Sequence, residues 1–168
     1  AVIFSDILTI PAAMGIDVNF KPKLHLTPVV RTRSDISALP AANVHRDLGY
    51  VAGAIKEVYK EIGETHAVLG FSGAPFTLAC YMVDGQGGKG FPNTRALIHG
   101  NAEAFKLLME KLTETIVEYL LMQVEAGATA VQLFDSWAGD LSGEVFAEHV
   151  MPWCNRIIQA VQEKGVPV

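Results

Sequence analysis

The chain has 168 residues, half of them apolar, which is the length of one domain with enough apolar side chains for a core. Its formal net charge is −5, whereas nucleic-acid-binding domains are usually basic, so we exclude nucleic acid as a partner. No apolar stretch reaches the roughly 20 residues of a membrane span, so we expect no membrane association. Cys80 and Cys154 match no metal-ligand spacing, and we predict free thiols in a reducing compartment.

The first predicted strand covers residues 2–4 and ends at Ser5-Asp6. Two interpretations of Asp6 are open on residue chemistry alone. Its carboxylate can cap the next turn of chain, which is the simpler interpretation. It can also face a pocket, because α/β barrels hold their ligands at the carboxyl ends of strands.

Residues 17–20 and 23–26 alternate polar and apolar side chains, which predicts a hairpin with one solvated face. His25 is then an exposed strand residue rather than a ligand. Residues 31–40 are predicted to be a surface segment. We interpret Arg31 and Arg33 as solvated charges, because no other residue converges on them, with anion steering as the alternative.

The most informative stretch is residues 70–91, with the sequence GFSGAPFTLACYMVDGQGGKGF. It follows a predicted buried strand at residues 67–71. Pro75 suits the first turn of a helix, which we predict over residues 76–83, before a glycine-rich loop. This order places Tyr81 near the carboxyl end of a strand, where α/β proteins bind ligands.

Further helices are predicted at residues 48–62, at 94–100 with Asn93 as the N-cap, and from Asn101, as a second N-cap, to about residue 127. A strand at residues 129–134 follows. Residues 146–162 are predicted to be helical, in two pieces around Pro152.

Strands and helices therefore alternate, which predicts parallel strands covered by helices. The chain fits an α/β fold that is a partial (β/α)8 TIM barrel, with about three βα units and the start of a fourth strand near residue 166. A small doubly wound sheet is the alternative, but no G-x-G-x-x-G turn follows a strand. Both chain ends lie in apolar, strand-like runs, so we expect residues 1–168 to be a single domain that is an internal fragment of such a barrel.

Three motifs resemble the uroporphyrinogen decarboxylase family: FSDIL at residues 4–8, the stretch at residues 70–91, and QLFDSWAG at residues 132–139. They stand at three successive predicted strand ends, and the likeness runs along the whole chain. It implies a TIM-barrel carboxy-lyase of haem and porphyrin biosynthesis, without metal or organic cofactor, that usually forms a homodimer. The expected substrate is uroporphyrinogen III, whose four acetate carboxylates are removed to give coproporphyrinogen III. The expected location is the cytoplasm, or a plastid if a transit peptide precedes Ala1.

By the same resemblance, Asp6 is the catalytic aspartate that binds the pyrrole N–H groups, and Tyr81 and Ser136 contact the substrate. Phe4 and Phe71 are similar to the apolar walls of the family's pocket. The family's Arg-Gln-Ala-Gly-Arg motif and its late histidine motif do not occur in these 168 residues. We therefore expect this piece to be inactive by itself.

Two other functions stay open. A corrinoid-dependent methyltransferase of the same superfamily would bind zinc through His and Cys, but the chain has no matching His-x-Cys group. A tetrapyrrole-binding module that has lost its activity is the non-enzymatic alternative.

Overall fold

The computed structural model describes residues 1–88 and 90–168, which alternate between helices and short strands. No helix among these residues is both long and apolar enough to cross a bilayer. In chain order the elements are α1 (Thr9–Ala13), β1 (Asp17–Asn19), β2 (His25–Thr27), α2 (Arg33–Ala38), α3 (Val44–Asp47), α4 (Gly49–Ile62), β3 (Leu69–Gly73), α5 (Pro75–Asp84), α6 (Pro92–Gly100), α7 (Ala102–Glu125), β4 (Ala130–Phe134), a 3-10 turn (Ala138–Asp140), α8 (Gly143–His149) and α9 (Met151–Gln162).

The central sheet is parallel and follows the order of the chain. β3 pairs with β4, with Leu69 opposite Ala130 at one end of the ladder. Val2 forms a parallel bridge to Leu69 on the far side of β3. Beyond β4, the Val131 N–H donates to the Pro167 carbonyl at 3.0 Å. Neighbouring segments in this order are what successive βα units of a barrel produce, so the fold is an open part of a (β/α) barrel, as predicted.

Helix α7 is the principal support of the sheet. Its 24 residues place an apolar face against β3, α5 and α9, and Asn101 caps its first turn by accepting from the Ala104 N–H. The predicted inner face is confirmed except at Val124, which is only partly buried. The buried members of that face are Phe105, Leu108, Leu112, Ile116, Tyr119 and Leu120.

Gln123, near the end of α7, is fully buried and bonds to the backbone of β3. Its amide oxygen accepts from the Phe71 N–H at 2.9 Å, and its amide nitrogen donates to the Phe71 carbonyl at 3.0 Å. A Cβ atom on Gly70 would lie 2.5 Å from the same amide oxygen. Gly70 therefore leaves the space that this helix-to-strand contact needs.

Residues 31–40 lie at the surface as predicted, with only Ile36 and Leu39 buried, and a capping box of Thr32 and Asp35 starts α2 there. Two sequence predictions were wrong in detail. β3 lies two residues beyond the predicted 67–71, since the ladder continues through Ser72 and Gly73, which no apolar pattern marks. The break in the last helical region falls at Val150, where α8 ends, and Pro152 takes a first-turn position of α9.

The prediction that Asn93 caps α6 was also wrong, because the N-cap of that helix is Phe91. The Asp84 carboxylate, at the end of α5, accepts from the backbone N–H groups of Asn93 and Thr94 and from both their side chains, at 2.7 to 3.2 Å. A carboxylate from the preceding helix therefore takes the N-terminal N–H groups that Asn93 was expected to serve. The contact joins the end of α5 directly to the start of α6.

Candidate functional site

Asp6 follows the first strand-like segment and is exposed. The Leu8 N–H donates to its Oδ1 at 2.8 Å, so one carboxylate oxygen does form the local cap that residue chemistry favoured. The catalytic role of Asp6 stays a prediction.

Tyr81, on α5, lies in an aromatic cluster above the sheet. Its ring meets Trp137 edge-on at 6.0 Å between centroids, and Trp137 in turn lies 4.9 Å from Phe91. Burial raises the pKa of the Tyr81 phenol, and the negative charge of Asp6 raises it further. Tyr81 lies on α5, the helix after β3, whereas Asp6 follows the first strand-like segment.

A second aromatic row crosses the sheet. Phe4 stacks on Phe71 at 5.6 Å, and Phe71 meets Phe134 edge-on at 5.7 Å. Phe71 is buried, whereas Phe4 is 83% exposed and Phe134 is 40% exposed. Phe134 was not among the predicted pocket residues, although its place as the last apolar residue of β4 was a signal for it.

Thr77 joins α5 to the turn that follows β4. Its hydroxyl donates to Asp135 Oδ1 at 2.7 Å and accepts from the backbone N–H of Trp137 at 3.2 Å. Thr77 is fully buried. The two bonds fix the backbone on either side of Ser136, whose side chain is exposed. Sequence reasoning missed Thr77, because a contact across 58 residues leaves no local pattern.

Two of the residues at this junction have polar atoms without partners. Asp135 Oδ2 and Trp137 Nε1 are buried and have no hydrogen bond within the described part of the chain, and the same is true of Ser5 Oγ after the first strand-like segment. Burial raises the pKa of Asp135, while the Thr77 hydroxyl opposes that rise. The carboxyl ends of the strands thus carry acidic, hydroxyl and aromatic groups at one edge of the sheet, with bonding capacity unused.

Replacing Thr77 with valine is expected to lower the free energy of unfolding by about 1–3 kcal/mol, because a buried carboxylate loses its hydrogen-bond donor. Urea unfolding of the protein as its gene encodes it measures the change. Thr113→Val is the matched control, since the Thr113 hydroxyl is also buried but bonds to no described residue. Equal losses in the two variants would show that Thr77 acts only by filling space.

Asp135→Asn is expected to gain stability relative to the native protein as the pH rises. The folded pKa of Asp135 lies above the unfolded value of 3.8, so the native state binds more protons than the unfolded state between the two. The contribution of Asp135 to the free energy of unfolding therefore falls as the pH rises through the folded pKa. Asparagine cannot ionise, so the variant does not lose stability in this way. Urea unfolding between about pH 2 and pH 8 measures the difference, a range that covers the titration of both Asp135 and Asp47.

Asp47→Asn is the control of opposite sign. The hydrogen bond from the Arg46 guanidinium holds the pKa of Asp47 below its ordinary value, so its stabilisation is present above the unfolded pKa and disappears as the pH falls. If the free energies of unfolding of Asp135→Asn and of the native protein differ by the same amount at every pH, the raised pKa of Asp135 is contradicted.

The thiols offer no reactive group at this edge. Burial raises the pKa of Cys154 to about 12 and that of Cys80 further still. Across residues 1–88 and 90–168, no three His, Cys, Asp or Glu side chains are grouped closely enough to hold a metal ion.

Parallel strands in chain order, helices over them and polar groups at the strand ends define a protein of the (β/α)-barrel class, with its candidate site at the carboxyl edge. A solved structure described as a methyltransferase from Methanosarcina mazei has the same fold, with a TM-score of 0.78 at 18% identity. That match covers 96% of this chain and 48% of the other.

The sequence comparisons are more specific. The family model described as uroporphyrinogen decarboxylase (URO-D) matches residues 1–168. A uroporphyrinogen decarboxylase from Geobacter sp. (strain M21) is 40% identical over 168 residues, which are all of this chain and 50% of that protein. One from Pseudomonas fluorescens (strain Pf0-1) is 42% identical over 96% of this chain and 46% of its own length.

The chain therefore belongs to the uroporphyrinogen decarboxylase family, which confirms the resemblance drawn from its three motifs. It spans about half the length of the curated relatives it matches.

Proposed function

We propose that this chain is part of a decarboxylase that converts uroporphyrinogen III to coproporphyrinogen III. The observation that carries the proposal is the match of the uroporphyrinogen decarboxylase family model to residues 1–168, with Asp6 placed after the first strand-like segment. Asp6 is the catalytic carboxylate in this proposal. Tyr81 and Ser136 contact the substrate, and Phe4 and Phe71 form the apolar wall.

The reaction requires a negative group beside the substrate ring. Protonation of a pyrrole carbon makes the ring a cation, which accepts the electron pair of the acetate C–C bond as CO2 leaves. A proton then adds to the exocyclic carbon to give a methyl group, and the ring loses the first proton. A carboxylate fixed beside the ring stabilises the cation and accepts hydrogen bonds from the pyrrole N–H groups.

The chain supplies one part of the decarboxylase barrel in this proposal. Its support is the open sheet and the share of the relatives' length that is covered. We further propose a homodimer in the cytoplasm as the working form. The bacterial relatives are consistent with that location and give no support to a plastid.

The deciding experiment is to incubate uroporphyrinogen III with the full-length gene product, rather than with these 168 residues alone, and to follow coproporphyrinogen III by chromatography. Stepwise appearance of products with seven to four carboxylates supports the decarboxylase. Binding of the porphyrinogen without product would support the binding module. Absence of both, with stoichiometric zinc in the purified protein, would support the methyltransferase. The 168 residues expressed alone should give no turnover.

A further inference from the structure

The charges of the chain are unevenly distributed. Residues 18–34 contain Lys21, Lys23, Arg31 and Arg33 and no acidic residue. The rest of the chain holds all 18 acidic side chains and nine of the 13 basic ones. We call residues 18–34, which include the turn of the hairpin and the segment after it, the cationic hairpin. Asp17, which pairs with Thr27 in the same hairpin, and Asp35 flank this segment, so residues 17–35 carry four basic and two acidic side chains.

The cationic hairpin is fastened to the end of the helix that carries Tyr81. The Leu26 N–H donates to the Gly85 carbonyl at 2.7 Å, and the Val30 N–H donates to the Met82 carbonyl at 3.0 Å. Arg31 Nε donates to the Val83 carbonyl at 3.0 Å. These bonds satisfy carbonyls at the C-terminal end of α5, which have no partner within the helix and favour a nearby cation.

The nearest acidic groups do not neutralise this surface. Asp35 accepts from the backbone N–H groups of Arg31 and Thr32 rather than from a guanidinium. The Asp84 carboxylate is occupied by α6. Lys21, Lys23, Arg31 and Arg33 are exposed, and none of them takes part in an ion pair within the described residues.

Position and charge together indicate a ligand. The segment contacts the last turn of α5 at Met82 and Val83, which directly follow Tyr81 in the chain. Arg31 donates to a carbonyl there, whereas no described hydrogen bond uses the side-chain nitrogens of Lys21, Lys23 or Arg33. Three exposed cations on a segment fastened next to Tyr81 suit the capture of a polyanion from solution.

We propose that the cationic hairpin steers a polycarboxylate tetrapyrrole to the carboxyl edge of the sheet. This inference rests on the proposed function for the identity of the ligand. The hairpin acts on encounter rather than on chemistry. Its field accelerates association at low ionic strength and is screened at high ionic strength, because the screening length is only about 8 Å at physiological salt.

The test measures the association rate of uroporphyrin, the stable oxidised octacarboxylate, by stopped-flow fluorescence with the protein as its gene encodes it. We expect that rate constant to fall roughly tenfold between 20 and 200 mM NaCl. The variant Lys21→Gln/Lys23→Gln/Arg33→Gln should associate roughly three- to tenfold more slowly at 20 mM and nearly normally at 200 mM. Its kcat should be unchanged, and coproporphyrin, with four carboxylates, should show a weaker salt dependence.

The matched control is Lys56→Gln/Lys60→Gln/Lys164→Gln. It removes the same number of charges from α4 and from Lys164, two residues after the end of α9. An equal slowing by both triple variants would overturn the proposal in favour of a net-charge effect, and a salt-independent native rate would overturn it without any variant.

Failure of the proposed function is a separate outcome. Decarboxylation without a hairpin effect refutes the steering alone. Hairpin-dependent capture of uroporphyrin without decarboxylation supports the steering and refutes the reaction.

Discussion

Asp6→Asn is expected to reduce the rate of decarboxylation about a thousandfold. A carboxylate about 4 Å from a cationic ring, at an effective dielectric near 20, contributes roughly 4 kcal/mol. If that energy is present mainly in the transition state, its loss corresponds to about three powers of ten in kcat. Coproporphyrinogen formation at saturating substrate measures the effect.

The asparagine variant separates the two interpretations of Asp6. Its amide oxygen can still accept from the Leu8 N–H, so the local turn is kept while the charge is removed. The pKa of Tyr81 should fall in this variant, because the charge of Asp6 raises it. Asp17→Asn, on exposed β1, is the control for removal of a carboxylate elsewhere. A loss of less than tenfold, with folding intact, would leave Asp6 as a cap only.

Gln123→Met is expected to lower the free energy of unfolding by about 3 kcal/mol, because the buried N–H and carbonyl of Phe71 both lose a partner. For a domain of this size that loss corresponds to a decrease in Tm of roughly 6–12 °C. Methionine has a similar length and no hydrogen-bond donor, so the change removes bonds rather than volume. Thermal unfolding followed by circular dichroism measures it.

Gln132→Met is the matched control, because Gln132 lies opposite Phe71 in the β3–β4 ladder. Its side chain is exposed, and its amide donates only to the neighbouring Leu133 carbonyl. We expect its free energy of unfolding to change by no more than the roughly 0.5 kcal/mol typical of surface positions. Similar shifts in both variants would mean that the Gln123 amide does not stabilise β3.

The elements that the sequence predicted well are those whose causes are local. The apolar spacing of α7 and the Asn101 cap lie within single turns of helix, and both were predicted. The cap of α6 was not, because Asp84 reaches Thr94 from another element. A single sequence shows which groups need partners but not which distant group provides one.

The same limit applies to the candidate site. Asp6, Tyr81 and Ser136 could be proposed as site residues because each stands at a recognisable strand end or motif, and their roles stay predictions. Thr77 was not found, since its importance comes from two bonds to the turn after β4. The cationic hairpin lay between these cases: Arg31 and Arg33 were noticed, but only folding placed their segment on the helix of Tyr81.

The hydrogen bonds of the Asp84 carboxylate to Asn93 and Thr94 have a consequence for the segment between α5 and α6. Because this carboxylate joins the two helices directly, the residues between them do not have to hold the helices together. Insertions there should therefore be tolerated, since doubling a flexible loop costs only about 0.6 kcal/mol in closure entropy. The hydrogen bonds of Gly85 and Gly90 and the packing of Phe91 on Trp137 limit where in this segment an insertion fits.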